Sequence, residues 1–155
     1  MNPYIRPVEP GDMEFVAEHM RIEDIEEVGA LGLPPYDAVI HSTAVSPIVY
    51  TLLQPDQIPC AIVGVATSST YINWGTIWLL GTKGIEDHAV TFLRQSKPAL
   101  DRLFNESGHD VLYNYTYVNN TVHHKWLRWL GFKFIRKVTL PPFDKEFYEF
   151  VRIKD

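Results

Sequence analysis

The chain has 155 residues, of which 46% are hydrophobic and 13% aromatic, and it carries a formal net charge of −5. This composition predicts one folded domain over residues 1–155 and argues against intrinsic disorder. The acidic balance argues against binding of nucleic acid through the overall charge, because no basic excess is present to neutralise phosphates.

Two further classes of protein do not fit the sequence. No apolar run reaches the length of a membrane-spanning helix, and the N-terminal segment lacks the charged-then-apolar pattern of a signal peptide. Cys60 is the single cysteine, so no intrachain disulfide can form. Its apolar surroundings predict a buried thiol and not a nucleophile.

The first third of the chain predicts a short strand and two helices. Residues 4–8 form the predicted edge strand, and Asp12 is predicted to cap a helix over residues 13–20. In the next helix, apolar residues at helical spacing predict a buried stripe made of Ile22, Ile25, Val28 and Ala30. The opposite face carries four carboxylates, Glu23, Asp24, Glu26 and Glu27. The segment GLPPYD, residues 32–37, is predicted to be a turn.

Strand patterns dominate the middle of the chain. Residues 48–53 and 61–66 predict a hairpin, and the apolar run over residues 76–80 predicts a central strand. Residues 85–105 predict a helix that Pro98 kinks or divides.

The most specific pattern is the segment YVNNTVHHKWLRWLGFKF, residues 117–134, which follows a strand predicted over residues 110–118. Asn120 is predicted to cap a short helix, and Gly131 to end it in the left-handed conformation before Phe132 returns to the core. The core face of this helix is predicted to consist of Val122, Trp126, Trp129 and Leu130.

Strands over residues 133–139 and 147–153 complete the order β, α, α, β, β, β, α, β, α, β, β, which predicts an α/β domain with a mixed sheet. This order, and the spacing of eleven residues between Asn120 and Gly131-Phe132, resemble the GNAT superfamily of acetyl-CoA-dependent N-acyltransferases. The resemblance implies a mixed, mostly antiparallel sheet of about seven strands flanked by about four helices.

The resemblance also implies a site for acetyl-CoA. In the family, the fourth strand parts from the fifth, and the pantetheine arm lies in the opening. The cofactor would be bound by Asn120 and by the end of the fourth strand with the loop that follows it. The residues of that segment are Leu79, Leu80, Gly81, Thr82, Lys83 and Gly84. The loop departs from the family pattern of Gln or Arg, two residues, Gly, one residue, Gly or Ala. Glu86 and Asp87 follow it, and their charges would repel a pyrophosphate.

Three residues are candidates for catalysis. Asp24 or Glu27 would serve as the base that deprotonates an amine, and Tyr117 would replace the acid that the family places at the position of Leu127. The alternatives are an ordinary exposed face for the acidic helix and packing in the sheet for Tyr117. His123 and His124 are consecutive, so they cannot both face a cleft. The histidines lack ligand spacing, and no metal site is predicted.

A narrower resemblance covers nearly the whole chain through MRIEDIEE, WLLGT, FLRQS and NNTVHHKWLRWLGF. These segments look like a phage-encoded GNAT-like group that includes the internal virion protein A of podophages. That resemblance implies a protein in the cytoplasm of an infected bacterium, or one associated with the virion. An N-acetyltransferase acting on an unknown amine or protein acceptor is favoured. An inactive assembly or host-binding factor, a host-directed inhibitor and a homodimer remain open.

Overall fold

Seven strands form one sheet in the order β1-β2-β3-β4-β5-β7-β6. The computed structural model describes residues 3–155. The strands are β1 (Ile5–Arg6), β2 (Ile48–Leu53), β3 (Pro59–Thr67), β4 (Trp74–Gly81), β5 (Val111–Tyr117), β6 (Lys133–Leu140) and β7 (Lys145–Ile153). The helices are α1 (Asp12–Glu18), α2 (Ile22–Ala30), α3 (Pro35–Ala44), α4 (Gly84–Asp87), α5 (Ala89–Ser107) and α6 (Thr121–Trp129). The predicted fold class, an α/β protein with a mixed, mostly antiparallel sheet, is confirmed.

The two faces of the sheet carry separate apolar clusters. One cluster joins α1, α2 and α3 to the sheet and contains Val16, Met20, Val28, Val39, Ile62 and Leu80. The other joins α5 and α6 to the sheet and contains Phe92, Leu100, Leu103, Leu112, Leu127, Leu130 and Phe150. Adjacent residues of β3 enter opposite clusters because side chains alternate along a strand. The predicted burial of Cys60 is confirmed, since its residue surface is 4% exposed.

The one parallel contact in the sheet lies between β4 and β5. It comprises three residue pairs, Trp74 with Val111, Gly75 with Leu112 and Thr76 with Tyr113. Beyond these pairs the two strands part, so residues 77–81 and residues 114–117 have no pairing with each other. We call this opening the β4–β5 gap. It matches the parting that the family resemblance implied.

The predicted buried stripe of α2 is wrong for its first two residues. Ile22 and Ile25 are 70% and 39% exposed, whereas Asp24 and Glu27 are 2% and 9% exposed. The two stripes have the same helical spacing, and the helix presents the polar one to the sheet because its carboxylates find hydrogen-bond donors there. Val28 and Ala30 are buried as predicted.

Several element boundaries also differ from the prediction. The predicted turn at residues 32–37 contains the start of α3, because Pro35 occupies the first turn of a helix, where it needs no hydrogen-bond donor. The predicted division of the helix at Pro98 is wrong, because α5 runs through that residue. Asp12 does not cap α1 but is its first residue, and its carboxylate accepts hydrogen bonds from Arg6 and Thr51.

The core face of α6 is partly wrong. Val122 and Trp129 are 51% and 45% exposed, and the buried positions are His124, Leu127 and Leu130. The end of the helix is as predicted, because Gly131 has φ of 92° and Phe132 is buried. Among residues 3–155, no helix combines the length and apolar character needed to cross a membrane.

Candidate functional site

Helix α2 brings three charged side chains to the β4–β5 gap. Arg21, at the start of the helix, Asp24 and Glu27 follow one another at intervals of three residues, which places them on one helical face. All three are buried. Asp24 contacts the end of β4 and Glu27 contacts the end of β5, so the helix spans the opening between the strands.

The Glu27 carboxylate is held at the end of β5. Its Oε1 atom accepts hydrogen bonds from the backbone amide of Tyr117 at 2.7 Å and from Thr116 Oγ1 at 2.9 Å. Burial, together with the nearby charge of Asp24, raises the pKa of Glu27 to about 7. A carboxyl group with this pKa is present in both protonation states near neutral pH, as a general base or acid requires.

The Asp24 carboxylate accepts a hydrogen bond from the backbone amide of Gly81 at 2.9 Å. The carbonyl of Gly81 accepts another from the amide of Arg21, also at 2.9 Å, and Met20 forms a bridge with Thr82. The α1–α2 connection therefore runs along the edge of β4 that faces the gap. Burial raises the pKa of Asp24 to about 6.

Asn114 closes the narrow end of the gap. Its side-chain Nδ2 donates to the carbonyl oxygen of Ile77 at 2.6 Å, and its Oδ1 accepts from the amide of Tyr115 at 2.8 Å. One side chain thus replaces the backbone hydrogen bonds that β4 and β5 no longer make at this level.

Asn120 does not cap α6 as predicted. It stands at the capping position but makes no capping hydrogen bond, and its side chain is 2% exposed. Its Nδ2 lies 3.4 Å from Glu27 Oε1 and 3.5 Å from His123 Nδ1. The buried Oδ1 atom has no hydrogen-bond partner among residues 3–155. Glu27 thus draws the side chain inward, away from the helix amides.

The two histidines of α6 point in different directions, in agreement with the prediction. His124 is buried and donates from Nε2 to the carbonyl of Tyr117 at 2.9 Å, a structural contact. His123 is half-buried and stacks on Trp126, with ring centroids 5.4 Å apart. Burial and the charge of Arg21 lower the pKa of His123 to about 3, so its ring is neutral at physiological pH.

Two cavities meet at the β4–β5 gap. The α2–α3 cavity, of about 170 Å³, is lined by residues that include Glu27, Val28, Leu31, Ser42, Trp78 and Asn114. The α5–α6 cavity, of about 200 Å³, is lined by residues that include Arg21, Asp24, Ile85, Phe92, Leu93 and Val122. Both cavities are also lined by Leu79, His123 and Trp126, so they are adjacent to each other.

The loop predicted to bind a pyrophosphate has most of its amides engaged within the chain. The amide of Thr82 donates to the carbonyl of Cys60 at 2.8 Å, and that of Gly84 donates to Thr82 Oγ1 at 3.0 Å. A methyl group on Gly81 would overlap Ile85, and one on Gly84 would overlap Gln54, so close packing explains both glycines. Lys83 is exposed beside this loop.

The remaining predicted site residues lie in different places. Leu79 lines both cavities, and Leu80 lines the α2–α3 cavity and belongs to the apolar cluster beneath α1, α2 and α3. The ring of Tyr117 packs on Phe147, with centroids 5.4 Å apart, and does not line either cavity. Leu127 is 3% exposed and belongs to the core. Within residues 3–155, no group of three or more histidine, cysteine or acidic residues is arranged to hold a metal ion.

Sequence reasoning missed Arg21 and Asn114 as members of the site. The spacing of Arg21, three residues before Asp24 and six before Glu27, is a signal that would have placed all three on one face. Asn114 gives no such signal, because its contact with Ile77 joins residues that are 37 positions apart.

No protein-family model matches the chain. No curated protein matches it either. Among solved structures, the spermidine N-acetyltransferase of Vibrio cholerae in complex with CoA and spermine is 12% identical, with a TM-score of 0.71 over 97% of this chain and 94% of that one. An acetyltransferase of the GNAT family from Bacillus anthracis is 12% identical, with a TM-score of 0.71 over 96% and 93%. The chain has the GNAT fold.

A third similar structure is that of an oligomer. It is the dodecameric spermidine N-acetyltransferase of Vibrio cholerae, which is 11% identical with a TM-score of 0.65. It covers 97% of this chain and 92% of the other. At these identities the GNAT likeness concerns the backbone arrangement, and the chemistry has to be argued from the side chains of this chain.

Proposed function

We propose that the protein is an N-acyltransferase that transfers an acetyl group from acetyl-CoA to an amine, with Glu27 as the general base. The observation that carries the proposal is the position of the Glu27 carboxylate. It is buried at the β4–β5 gap, lines the α2–α3 cavity, and has a pKa raised to about 7.

The reaction needs a base because a protonated amine has no lone pair with which to attack a thioester. In the proposed sequence, Glu27 first accepts one proton from the ammonium group, and the neutral amine then bonds to the thioester carbonyl carbon as the carbonyl π electrons move to its oxygen. The carbonyl re-forms as the carbon–sulfur bond breaks, and the CoA thiolate leaves and takes up the second proton that the nitrogen loses, by way of water. The donors from Tyr117 and Thr116 hold the carboxylate in place during this exchange.

Acetyl-CoA would approach from the α5–α6 cavity, which Leu79 of β4 helps to line. The fit is partial, because Asp24 and Arg21 already bond the backbone amide and carbonyl of Gly81. The acyl donor therefore has to contact β4 before Gly81 in the chain. Lys83 is the exposed cation nearest in sequence to the proposed entrance, and it would meet the phosphates.

Isothermal titration calorimetry with acetyl-CoA tests whether the protein binds the acyl donor. Release of the free CoA thiol in the presence of a panel of amines tests whether it transfers the acetyl group. We expect acetyl-CoA to bind the wild-type protein and the Glu27→Gln variant alike, and Glu27→Gln to lower turnover at least tenfold. Glu26→Gln alters an exposed neighbour and serves as the matched control. Absence of any acetyl-CoA binding would rule out the transferase.

A second function is favoured by one specific observation, the occupation of the Gly81 backbone by α2. A protein that keeps the fold but binds no acyl donor would act as a binding or assembly factor, and Leu127 in place of the usual tyrosine fits that role. The same titration distinguishes the transferase from the binding factor, because a binding factor of this kind should give no heat of binding with acetyl-CoA.

We also propose a biological setting, which the similarity of four segments to phage-encoded GNAT-like proteins supports. In this proposal the protein acts in the cytoplasm of an infected bacterium, on a host or phage acceptor, or is packaged in the virion. Mass spectrometry of purified particles of the source virus tests the packaged form. Sedimentation of the purified protein tests the proposed homodimer.

A further inference from the structure

The α2–α3 cavity passes through the sheet at the β4–β5 gap. Its lining includes Val28 and Leu80 from the apolar cluster beneath α1, α2 and α3. It also includes Leu127 and Phe150 from the cluster beneath α5 and α6. A molecule in this cavity would therefore meet, at the gap, an acyl donor that approaches from the α5–α6 side.

One carboxylate oxygen of Glu27 is not used within the chain. The Oε1 atom accepts the hydrogen bonds from Tyr117 and Thr116, whereas Oε2 accepts none within residues 3–155. Unlike the buried Oδ1 atom of Asn120, Oε2 is not fully enclosed. Since Glu27 lines the α2–α3 cavity, this oxygen is the acceptor that the cavity offers to an ammonium group.

The cavity has a counter-charge for one cation and not for two. Among its lining residues within 3–155, Glu27 is the only carboxylate, and His123 is neutral because burial lowers its pKa to about 3. Asp24 lies one helical turn before Glu27 but lines the α5–α6 cavity instead. Transfer of an ammonium group from water into an apolar cavity is costly unless a carboxylate pairs with it. A second ammonium group would have no such partner.

The wall of the cavity on the β4 side is an aromatic ring held in place from two sides. The indole of Trp78 donates from Nε1 to Ser46 Oγ at 2.7 Å, so its single donor is already used. The ring also lies against Gly64, where a methyl group would overlap it. Two partly exposed apolar residues, Leu31 after α2 and Leu140 at the end of β6, line the outer part of the cavity. The surface that surrounds the Glu27 carboxylate is therefore mainly apolar.

We infer that the α2–α3 cavity binds a monoamine with an apolar body, whose ammonium group pairs with Glu27 and whose body lies against Trp78 and Leu31. The role of this amine as the acyl acceptor rests on the proposed function, whereas its binding does not. The cavity has a volume of about 170 Å³. An apolar cavity of roughly 150 Å³ is large enough for benzene, so a phenyl ring or a short alkyl chain fits. Its burial adds a favourable free energy that a linear polyamine would lack.

The test is a calorimetric titration of the purified chain at about pH 8, where Glu27, with a pKa of about 7, is ionised. The ligands are 2-phenylethylamine, its neutral analogue 2-phenylethanol and the polyamine spermidine, each with and without CoA. We expect 2-phenylethylamine to bind at least tenfold more tightly than either of the others. Equal affinity for spermidine or for 2-phenylethanol would overturn the inference. So would a lack of 2-phenylethylamine binding at millimolar concentration under both conditions.

Three variants sharpen the test. Glu27→Gln removes the negative charge and should reduce the preference for the amine over the alcohol to less than twofold. Leu31→Glu adds a second carboxylate at the exposed end of the cavity and should raise the affinity for spermidine at least fivefold. Ile25→Glu is the matched control, because Ile25 is exposed on α2 and lines neither cavity, and it should leave that affinity nearly unchanged. An equal response of the two glutamate variants would contradict the assignment of the cavity.

The inference and the proposed function can fail separately. Preferential binding of 2-phenylethylamine without any binding of acetyl-CoA would reject the transferase and keep the monoamine site. Release of CoA with spermidine as fast as with 2-phenylethylamine would keep the transferase and reject the inference.

Discussion

The Glu27 carboxylate accepts a hydrogen bond from the backbone amide of Tyr117 at 2.7 Å and thereby fastens α2 to the end of β5. Three residues earlier in the helix, Asp24 accepts one from the amide of Gly81 and fastens α2 to the end of β4. The two parted strands are therefore held by carboxyl groups whose pKa values are raised, and stability should follow their protonation.

The first prediction concerns pH. The pKa of Glu27 rises from 4.5 in the unfolded chain to about 7, so its contribution to stability is present at low pH and is lost as the pH rises through about 7. Between pH 6.5 and 8 the contribution of Glu27 alone should fall by roughly 1 kcal/mol, since each pKa unit corresponds to about 1.4 kcal/mol. Urea titrations should show it as a difference in pH slope between the wild-type protein and Glu27→Gln.

Asp24, whose pKa is about 6, changes little in that window. The two histidines of α6 act in the opposite sense: burial lowers their pKa values, so the unfolded chain loses histidine protons near pH 6.5 that the folded chain does not bind, and stability rises with pH. These contributions are common to the wild-type protein and the Glu27 variant and cancel in the comparison. Glu26→Gln alters an exposed carboxylate and should keep the wild-type slope. An equal slope in Glu27→Gln and the wild-type protein would contradict the raised pKa.

The second prediction concerns the close approach of α4 to β4. Gly81→Ala would bring a methyl group into Ile85, and such overpacking costs about 1–3 kcal/mol of unfolding free energy. Ile85→Ala removes buried apolar contacts and is destabilising in its own right, but adding Gly81→Ala to it should cost less than adding Gly81→Ala to the wild-type protein. Gly29→Ala is the control, because nothing lies within 4 Å of its position and a helical alanine should stabilise by about 0.5–1 kcal/mol. Chemical denaturation distinguishes a steric conflict, which the double variant relieves, from a simple loss of flexibility.

The third prediction concerns Asn114, whose side chain links β4 to β5. Asn114→Ala removes its contacts with Ile77 and Tyr115 and should lower stability by roughly 1–3 kcal/mol. Amide exchange at Tyr115 should also become faster. Asn105→Ala, at an exposed position of α5, should have almost no effect. If exchange at Tyr115 is unchanged, the link across the gap is not formed in solution.

The fourth prediction concerns the thiol. Cys60 is 4% exposed, and burial raises its pKa to about 12, so the native protein should resist a thiol reagent such as DTNB. Labelling should proceed at the rate of unfolding and become fast in denaturant. Since the chain has one cysteine, the absorbance reports a single site. Rapid labelling of the native protein would show that β3 opens far more readily than its burial implies.

The sequence was sufficient for the strands and for the end of α6, because continuous apolar runs and a glycine at a helix end depend on local chemistry. It was misleading in α2. The stripe of Ile22 and Ile25 and the stripe of Asp24 and Glu27 have the same period, so hydrophobicity selects the wrong one. The charged stripe is buried because the ends of β4 and β5 offer amide donors, and those donors come together only in the folded protein.

The α3 helix is a second case in which tertiary packing overrides a local sequence signal. Pro34-Pro35 is typical of a turn, yet Pro35 begins a helix whose buried residues, Ala38 and Val39, pack against β3 and α1. The arrangement of the site depends still more on contacts between residues far apart in the chain. The position of Asn120 predicts a helix cap, and this is wrong because Glu27 draws its side chain inward.

The brief pairing of β4 with β5 has a consequence for how the chain folds. The strands β2, β3 and β4 pair through consecutive hairpins, and β5 pairs with β7 over seven residue pairs. The β4–β5 contact closes a separation of 37 positions with only three pairs, so it gains the least for the chain entropy that it costs and should form last. We expect pulse-labelling during refolding to protect β3 and β7 before the amides of Gly75 and Leu112, and simultaneous protection would exclude this order.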